Sequence, residues 1–339
     1  MANANYSGIQ GSGAAKLAAY AIEKSLSKTW VNTLARTSPL LAKIMDEGRF
    51  NKGGEVRGQK FILPIITGEG DIQFAGVTDA NQFTALTPTL TTGDSQAEYE
   101  YAHYRGAYHL THAEIQLLTA PEGTARGNIL NAKKAKMESV VSKLLATNTA
   151  GTQAGSRTAH SGILGIVTST DQVVAGVDQA TTTAWRPTRK AGGYVGLTDV
   201  DALIDLVEDG PTTKGAIDLI VCSKAVSSGP NVLNAFRSLI AANEMIVNNN
   251  ASLAKYGFRD FEYAGIQVIG DSFIPNGASQ GRMVGLSTKN WYAVGSKVPI
   301  MHEVSRLPGT DGFEHFFTQW MGLGCANVGA NFIWSGIVG

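Results

Sequence analysis

Between Thr67 and Gln96 the chain reads TGEGDIQFAGVTDANQFTALTPTLTTGDSQ. Its apolar residues, Ile72, Phe74, Val77, Phe83, Leu86 and Leu90, stand isolated among Thr, Gly, Asp and Gln. Loops longer than about 12–15 residues inside a compact domain are usually functional or disordered. Upstream, Gly53-Gly54 and Gly58 open the segment and Lys60–Ile66 is a strand candidate. Downstream, Ala97–His112 alternates, with Tyr99, Tyr101, His103, Arg105, Ala107 and His109 on one side. The whole reads as a long two-stranded excursion. A lone hairpin is marginal in water, so this one must dock on something else.

On the N-terminal side, Ala14–Lys28 carries Leu17, Ala18, Ala21, Ile22 and Leu26 as an apolar helical stripe. A second helix is expected over Val31–Asp46, restricted near its middle by Pro39 and stopped by Gly48. On the C-terminal side, Pro121–Thr147 is a long helix candidate with Leu130, Met137, Val141, Leu144 and Leu145 on its apolar side; Gly127 is its weak point. Gly162-Ile-Leu-Gly-Ile166 is a compact apolar run. From Leu197 onward helix and strand alternate. Thr198 with Asp201 resembles a helix cap, Ile217–Cys222 a buried strand, and Ser228 with Pro230 the start of a helix to about Asn243. Phe261–Ile269, Arg282–Leu286 and much of Val298–Val338 read as further strands. The class is α+β, with an α/β-like part over 195–295.

Composition excludes several classes. Of 339 residues, 43% are hydrophobic, and 28 basic groups balance 28 acidic ones, which is not the profile of a disordered chain. No apolar run approaches the roughly 18 residues of a membrane-spanning helix, so no membrane partner is expected. Met1–Gly13 lacks the charged-then-apolar order of a signal peptide. Cys222 and Cys325 sit in apolar runs, as buried thiols do. With only 17% charged residues and 39 glycines, the chain is poorly protected against self-association.

The balanced charge is segregated. Residues 1–50 carry six basic and three acidic groups, residues 51–104 three and seven, and residues 121–150 five and two. One copy's acidic segment can therefore lie on another copy's basic one, or the clusters are simply solvated. Catalytic patterns are absent. Gly322-x-Gly324 with Gly329 lacks the βαβ unit and following acid of a dinucleotide fingerprint, since the chain ends at Gly339. His109 and His112 with Glu114 lack the zinc-helix spacing, and His160, His302 and His315 have no local partners. No serine sits in a nucleophile elbow. The expectation is no enzyme activity, no cofactor and no metal. A basic face formed by Arg126, Lys133, Lys136 and Lys143 suits non-specific phosphate contact or plain solvation.

The order of segments resembles the major capsid protein of tailed bacteriophages, the HK-97-type shell fold. Gly53–Tyr104 resembles its extended E-loop, Pro121–Thr147 its spine helix, and Gly162–Ile166 the turn that follows. Phe261-Glu-Tyr-Ala-Gly265-Ile-Gln-Val-Ile-Gly-Asp271 to Pro275 resembles a strand and turn of its axial (A) domain, and Asn290-Trp291-Tyr292 with Gly295 the next strand. The resemblance implies an N-terminal arm over 1–50, an E-loop over 51–104, a peripheral (P) domain over 105–165, an A domain over 166–298, and C-terminal strands 299–339 returning to the P domain. It implies self-assembly into pentamers and hexamers of an icosahedral shell around double-stranded DNA. Glu55, Arg57, Lys60, Glu69, Asp71 and Asp79 would then lie at contacts between subunits, and Arg126, Lys133, Lys136 and Lys143 would face the genome. The implied partners are further copies, a separate scaffolding protein, a portal and decoration proteins. The implied location is the virion, and the host cytoplasm during assembly. Lys52 and Lys60 are available for covalent crosslinking, but nothing specifies an asparagine acceptor, and none is expected. The rivals are an encapsulin-type compartment, an α/β enzyme and a tail or surface protein.

Overall fold

The computed structural model describes residues 38–52, 55–57, 60–66, 94–119, 124–156, 158–209, 215–224, 230–242, 260–276, 280–296, 300–301, 305–306 and 312–338. In chain order the elements are α1 (Pro39–Asp46), β1 (Glu55–Arg57), β2 (Lys60–Ile66), β3 (Asp94–Glu100), β4 (Ala102–Thr111), α2 (His112–Thr119), α3 (Thr124–Ala150), α4 (Ile163–Ile166), β5 (Val173–Val174), β6 (Val177–Asp178), β7 (Thr188–Ala191) and α5 (Leu197–Glu208). There follow β8 (Leu219–Ser223), α6 (Val232–Ala242), β9 (Asp260–Tyr263), β10 (Ile266–Asp271), β11 (Gly281–Leu286), β12 (Trp291–Gly295), β13 (Ile300–Met301), β14 (Ser305–Arg306), β15 (Gly312–Cys325) and β16 (Phe332–Ile337). The expected helix over Ala14–Lys28 and residues 67–93 lie outside the described set.

A six-stranded mixed sheet, ordered β7-β16-β11-β8-β10-β9, forms a wall between two cores. Strand residues alternate across it. Leu219, Val221, Ile269, Val284 and Ile333 face one apolar cluster; Ile220, Cys222, Val268, Met283 and Trp334 face the other. Burial on both faces is why Ile217–Cys222 reads as an uninterrupted apolar run. The second cluster is closed by α5 through Val200, Leu203, Ile204 and Val207, and by α6 through Val232, Leu233, Phe236 and Ile240.

The first cluster lies between the wall and a five-stranded sheet built around β15, which pairs with β12, β13, β14 and β4. α1 seats Leu40, Leu41 and Ile44 in this core. Asn51 ties the following chain to β12: it donates to the Gly295 carbonyl at 2.9 Å and accepts from the Gly295 amide at 2.7 Å.

Several expectations change. Pro39 is the first residue of α1, where its missing amide costs nothing, not a restriction in mid-helix. α5 begins after Gly196 rather than at a Thr198 cap. α6 begins at Val232, with Asn231 Oδ1 accepting from the Asn234 amide at 3.1 Å. Phe261–Ile269 is a hairpin, not one strand: Ala264 and Gly265 both take positive φ, 51° and 79°, in a two-residue turn between β9 and β10. The segment 299–339 divides between sheets, because β15 pairs with β4 whereas β16 inserts beside β11 and β7.

Candidate functional site

The base of the excursion and the ribbon of β4 converge on β15, and the long helix α3 packs on β4. At the base, β2 pairs with β1 and β3, from Lys60↔Glu100 to Ile66↔Asp94. Phe61, Leu63, Ile65, Ala97 and Tyr99 turn inward. The rings of Phe61 and Tyr99 stack at 5.5 Å and lie on Gly322 and Gly324, where a side chain at Gly324 would come within 2.5 Å of Phe61. The Tyr99 hydroxyl donates to the Cys325 carbonyl at 2.7 Å. The Gly322-x-Gly324 spacing that resembled a nucleotide motif is thus a seat for two aromatic rings. The β5–β6 hairpin adds a strap, its Ala175 carbonyl accepting from the Glu98 amide at 3.0 Å.

The expected single face over 97–112 does not persist. Ala97 and Tyr99 are buried in β3, but Ala102, Tyr104 and Leu110 are the buried residues of β4. Inward residues change from odd to even numbers across Tyr101, which lies between the strands. The chain must change phase there so that Tyr99 reaches β15 while Tyr104 reaches α3.

The long helix runs Thr124–Ala150 without a break at Gly127. Val141 and Leu145 are buried as expected, but Leu144 and Val140 are exposed. Its C-terminal end is clamped by His160. Tyr104 Oη meets His160 Nδ1 at 2.5 Å, Thr149 Oγ1 meets Nε2 at 3.0 Å, and Asn148 Nδ2 donates to Tyr104 Oη at 3.1 Å. Burial lowers the His160 pKa to about 3 and raises that of Tyr104 to about 12, so both are neutral. Sequence offered no signal for this cluster, because its members lie on three separate segments.

The sequence-nominated residues fall unevenly. Glu55 and Arg57 lie on β1, opposite Ile62 and Lys60, with their side chains outside the described set. Lys60 pairs with Glu98 at 2.5 Å. Glu69, Asp71 and Asp79, and the side chain of Arg126, lie outside the described residues. Lys133 is half-buried, bonded to Glu114 at 3.0 Å and to the His109 carbonyl at 2.8 Å. Lys136 and Lys143 are exposed. His109, His112 and Glu114 diverge, toward Glu314, Gln116 and Lys133. No group of three or more potential metal ligands occurs among the described residues. Cys222 and Cys325 are buried free thiols, and burial pushes Cys325 up to about 12.

In the wall, Asp271 ends β10. It is almost fully buried; Oδ1 accepts from the Phe273 amide at 2.8 Å and Oδ2 has no partner. Burial raises its pKa to about 6, against the pull of the Phe273 amide and of Lys224.

No family model matches the chain. No curated protein matches it in sequence. Its fold does match solved structures. The cyanophage A-1(L) capsid asymmetric unit aligns at TM-score 0.60 and 13% identity, over 85% of this chain and 90% of that one. The SrpI encapsulin of Synechococcus elongatus aligns at 0.53 and 9%, over 86% and 85%. The capsid of Myoviridae phage XM1 aligns at 0.52 and 11%, over 87% and 92%. The chain therefore has the α+β, HK-97-type shell fold.

Proposed function

We propose that this chain is the major capsid protein of a tailed bacteriophage, a structural protein whose copies form pentamers and hexamers of an icosahedral shell around double-stranded DNA. The observation that carries the reading is the match to the cyanophage capsid fold over 85% of the chain, joined to an excursion whose base is packed on β15. Heterologous contacts close rings, and many weak contacts per copy give a stable shell through multivalency. Residues 51–104 act as the E-loop, with Glu55, Arg57, Lys60, Glu69, Asp71 and Asp79 toward neighbours. Residues 105–165 act as the P domain and 166–298 as the A domain. Lys136 and Lys143 meet packaged DNA, whereas Lys133 is held by Glu114. A separate scaffolding protein, a portal and decoration proteins complete the particle, which assembles in the host cytoplasm. The subunits are not covalently crosslinked, so mature particles run as monomers on denaturing gels.

A second reading, an encapsulin-type compartment, draws on the SrpI match. Electron microscopy of the purified chain, alone and with its genomic neighbours, tests both. Closed shells that take up nuclease-protected DNA support the capsid. Shells filled with a protein cargo support the compartment. A uniform dimer or tetramer under all conditions removes both readings.

A further inference from the structure

β4 and α3 run side by side in opposite directions. At one end Asn148 Nδ2 donates to Tyr104 Oη at 3.1 Å, and at the other Lys133 Nζ donates to the His109 carbonyl at 2.8 Å. Between these contacts lie about 16 Å of strand at ~3.3 Å per residue and about 22 Å of helix at ~1.5 Å per residue. Among the described residues β4 pairs with β15 alone, and no strand pairs with its outer edge. Along this trough α3 shows a second apolar face. Val141 and Leu145 are buried, but Val140 is 59% and Leu144 42% exposed, one turn apart. Where Val140 comes beside β4 a cleft of about 220 Å³ opens, lined also by Gly106, Phe317, Lys133 and Lys136. It is smaller than the roughly 300–1,000 Å³ of small-molecule sites and suits one inserted side chain. The rim is basic. Lys136 and Lys143 are exposed and have no acidic partner among the described residues. Glu114 is already engaged, by Lys133 and by the Thr111 amide.

We infer that this trough is a docking site for an acidic amphipathic helix of a separate protein. Val140 and Leu144 form a ridge against which a second helix packs, and one apolar side chain of that helix fills the cleft beside Gly106. Carboxylates flanking it meet Lys136 and Lys143. Other occupants match only part of the surface. The phosphates of duplex DNA would satisfy the lysines but leave Val140, Leu144 and the cleft uncovered. The α3 of a second copy would set lysine against lysine, and like charges repel. An acidic helix with an apolar stripe answers both the charge and the apolar ridge. The trough is a property of the single chain and does not depend on shell assembly.

The test selects a displayed library of random peptides, about 20 residues long and so able to hold a helix, against the purified full-length chain. Enriched peptides should combine acidic residues with apolar ones spaced three and four apart. The strongest binder, labelled and titrated by fluorescence anisotropy, should bind Val140→Asp and Lys136→Glu at least about tenfold more weakly than wild type. Leu206→Asp, at an exposed leucine on α5, should bind it as wild type does. All three positions are exposed, so the variants should melt with wild type, which calorimetry checks. If Val140→Asp melts early, Lys136→Glu decides alone. No enrichment, enrichment of peptides without acidic residues, or undiminished binding to Val140→Asp and Lys136→Glu would overturn the proposal. So would a DNA duplex whose binding Lys136→Glu weakens and Val140→Asp does not, with no peptide selected; the lysines would then serve the genome alone. Whether shells form is read separately by microscopy, so failure here and failure of the shell reading are told apart.

Discussion

The two larger sheets carry the same device in opposite settings. In the six-stranded wall, Gly285 stands opposite Phe332 and lies under its ring; in the β15 sheet, Gly106 stands opposite Phe317 and lies under that ring. Phe332 is sealed between β11 and the helices that close the second core. Phe317 faces the cleft beside the open edge of β4. The wall is a finished core, buried on both faces. The β15 sheet ends in a surface that no element among the described residues covers, and the base of the excursion is rooted on that same sheet.

The sharpest way to break this comparison is to put a methyl group under each ring. Gly285→Ala forces the new carbon into Phe332, which has nowhere to move, and should cost about 3 kcal/mol, the upper end for overpacking. Gly106→Ala pushes the buried ring of Phe317 toward the cleft of about 220 Å³ that it lines and should cost about 1 kcal/mol. Calorimetry of the unassembled chain should show the larger drop in Tm for Gly285→Ala. Equal drops would mean that the two settings do not differ.

Much of the wall was readable because burial on both faces leaves a mark in sequence, as in Ile217–Cys222. The base of the excursion was readable from the apolar run Lys60–Ile66 and the alternation that begins at Ala97, whereas residues 67–93 lie outside the described set. Contacts between distant segments were not readable. Gly322 and Gly324 looked like a motif of their own, but their cause is Phe61 and Tyr99, more than two hundred residues upstream. The hairpin at Ala264-Gly265 was missed because alanine rarely takes positive φ. The phase change at Tyr101 leaves no local trace, since alternation by itself does not say which face meets which partner. Of the nominated site residues, the acids Glu69, Asp71 and Asp79 lie outside the described residues.

The two regions also titrate with opposite signs. Asp271 in the wall has its folded pKa raised from 3.8 to about 6. The folded state then holds a proton that the unfolded chain releases, so its contribution is full below about 3.8 and is lost as pH rises through 6. The loss is roughly 3 kcal/mol, at about 1.4 kcal/mol per unit. His160 at the end of α3 has its folded pKa lowered from 6.5 to about 3. Below 6.5 the unfolded chain takes a proton that the folded state refuses, so stability falls with acid, by about 2 kcal/mol at pH 5. Between pH 4 and 6 the two slopes oppose each other. Asp271→Asn should expose the histidine slope, with Tm rising as pH rises. His160→Gln should expose the aspartate slope, with Tm falling over the same window. Two variants with slopes of the same sign would show that one of these groups is not buried in the unassembled chain.

The smallest effect belongs to the Lys60–Glu98 pair, at the base of the excursion. Both side chains are about half exposed, at 48% and 45%. Exposed ion pairs contribute little to stability because water and salt screen them. The packing beneath, Phe61 stacked on Tyr99 over Gly324, is what roots the excursion in its own subunit. Lys60→Ala should therefore leave the Tm of the unassembled chain unchanged. If Lys60 faces a neighbouring copy in the shell, the same substitution should lower the salt concentration at which assembled particles come apart. A lower Tm in the unassembled chain would mean that the ion pair, rather than the two rings, holds the base in place.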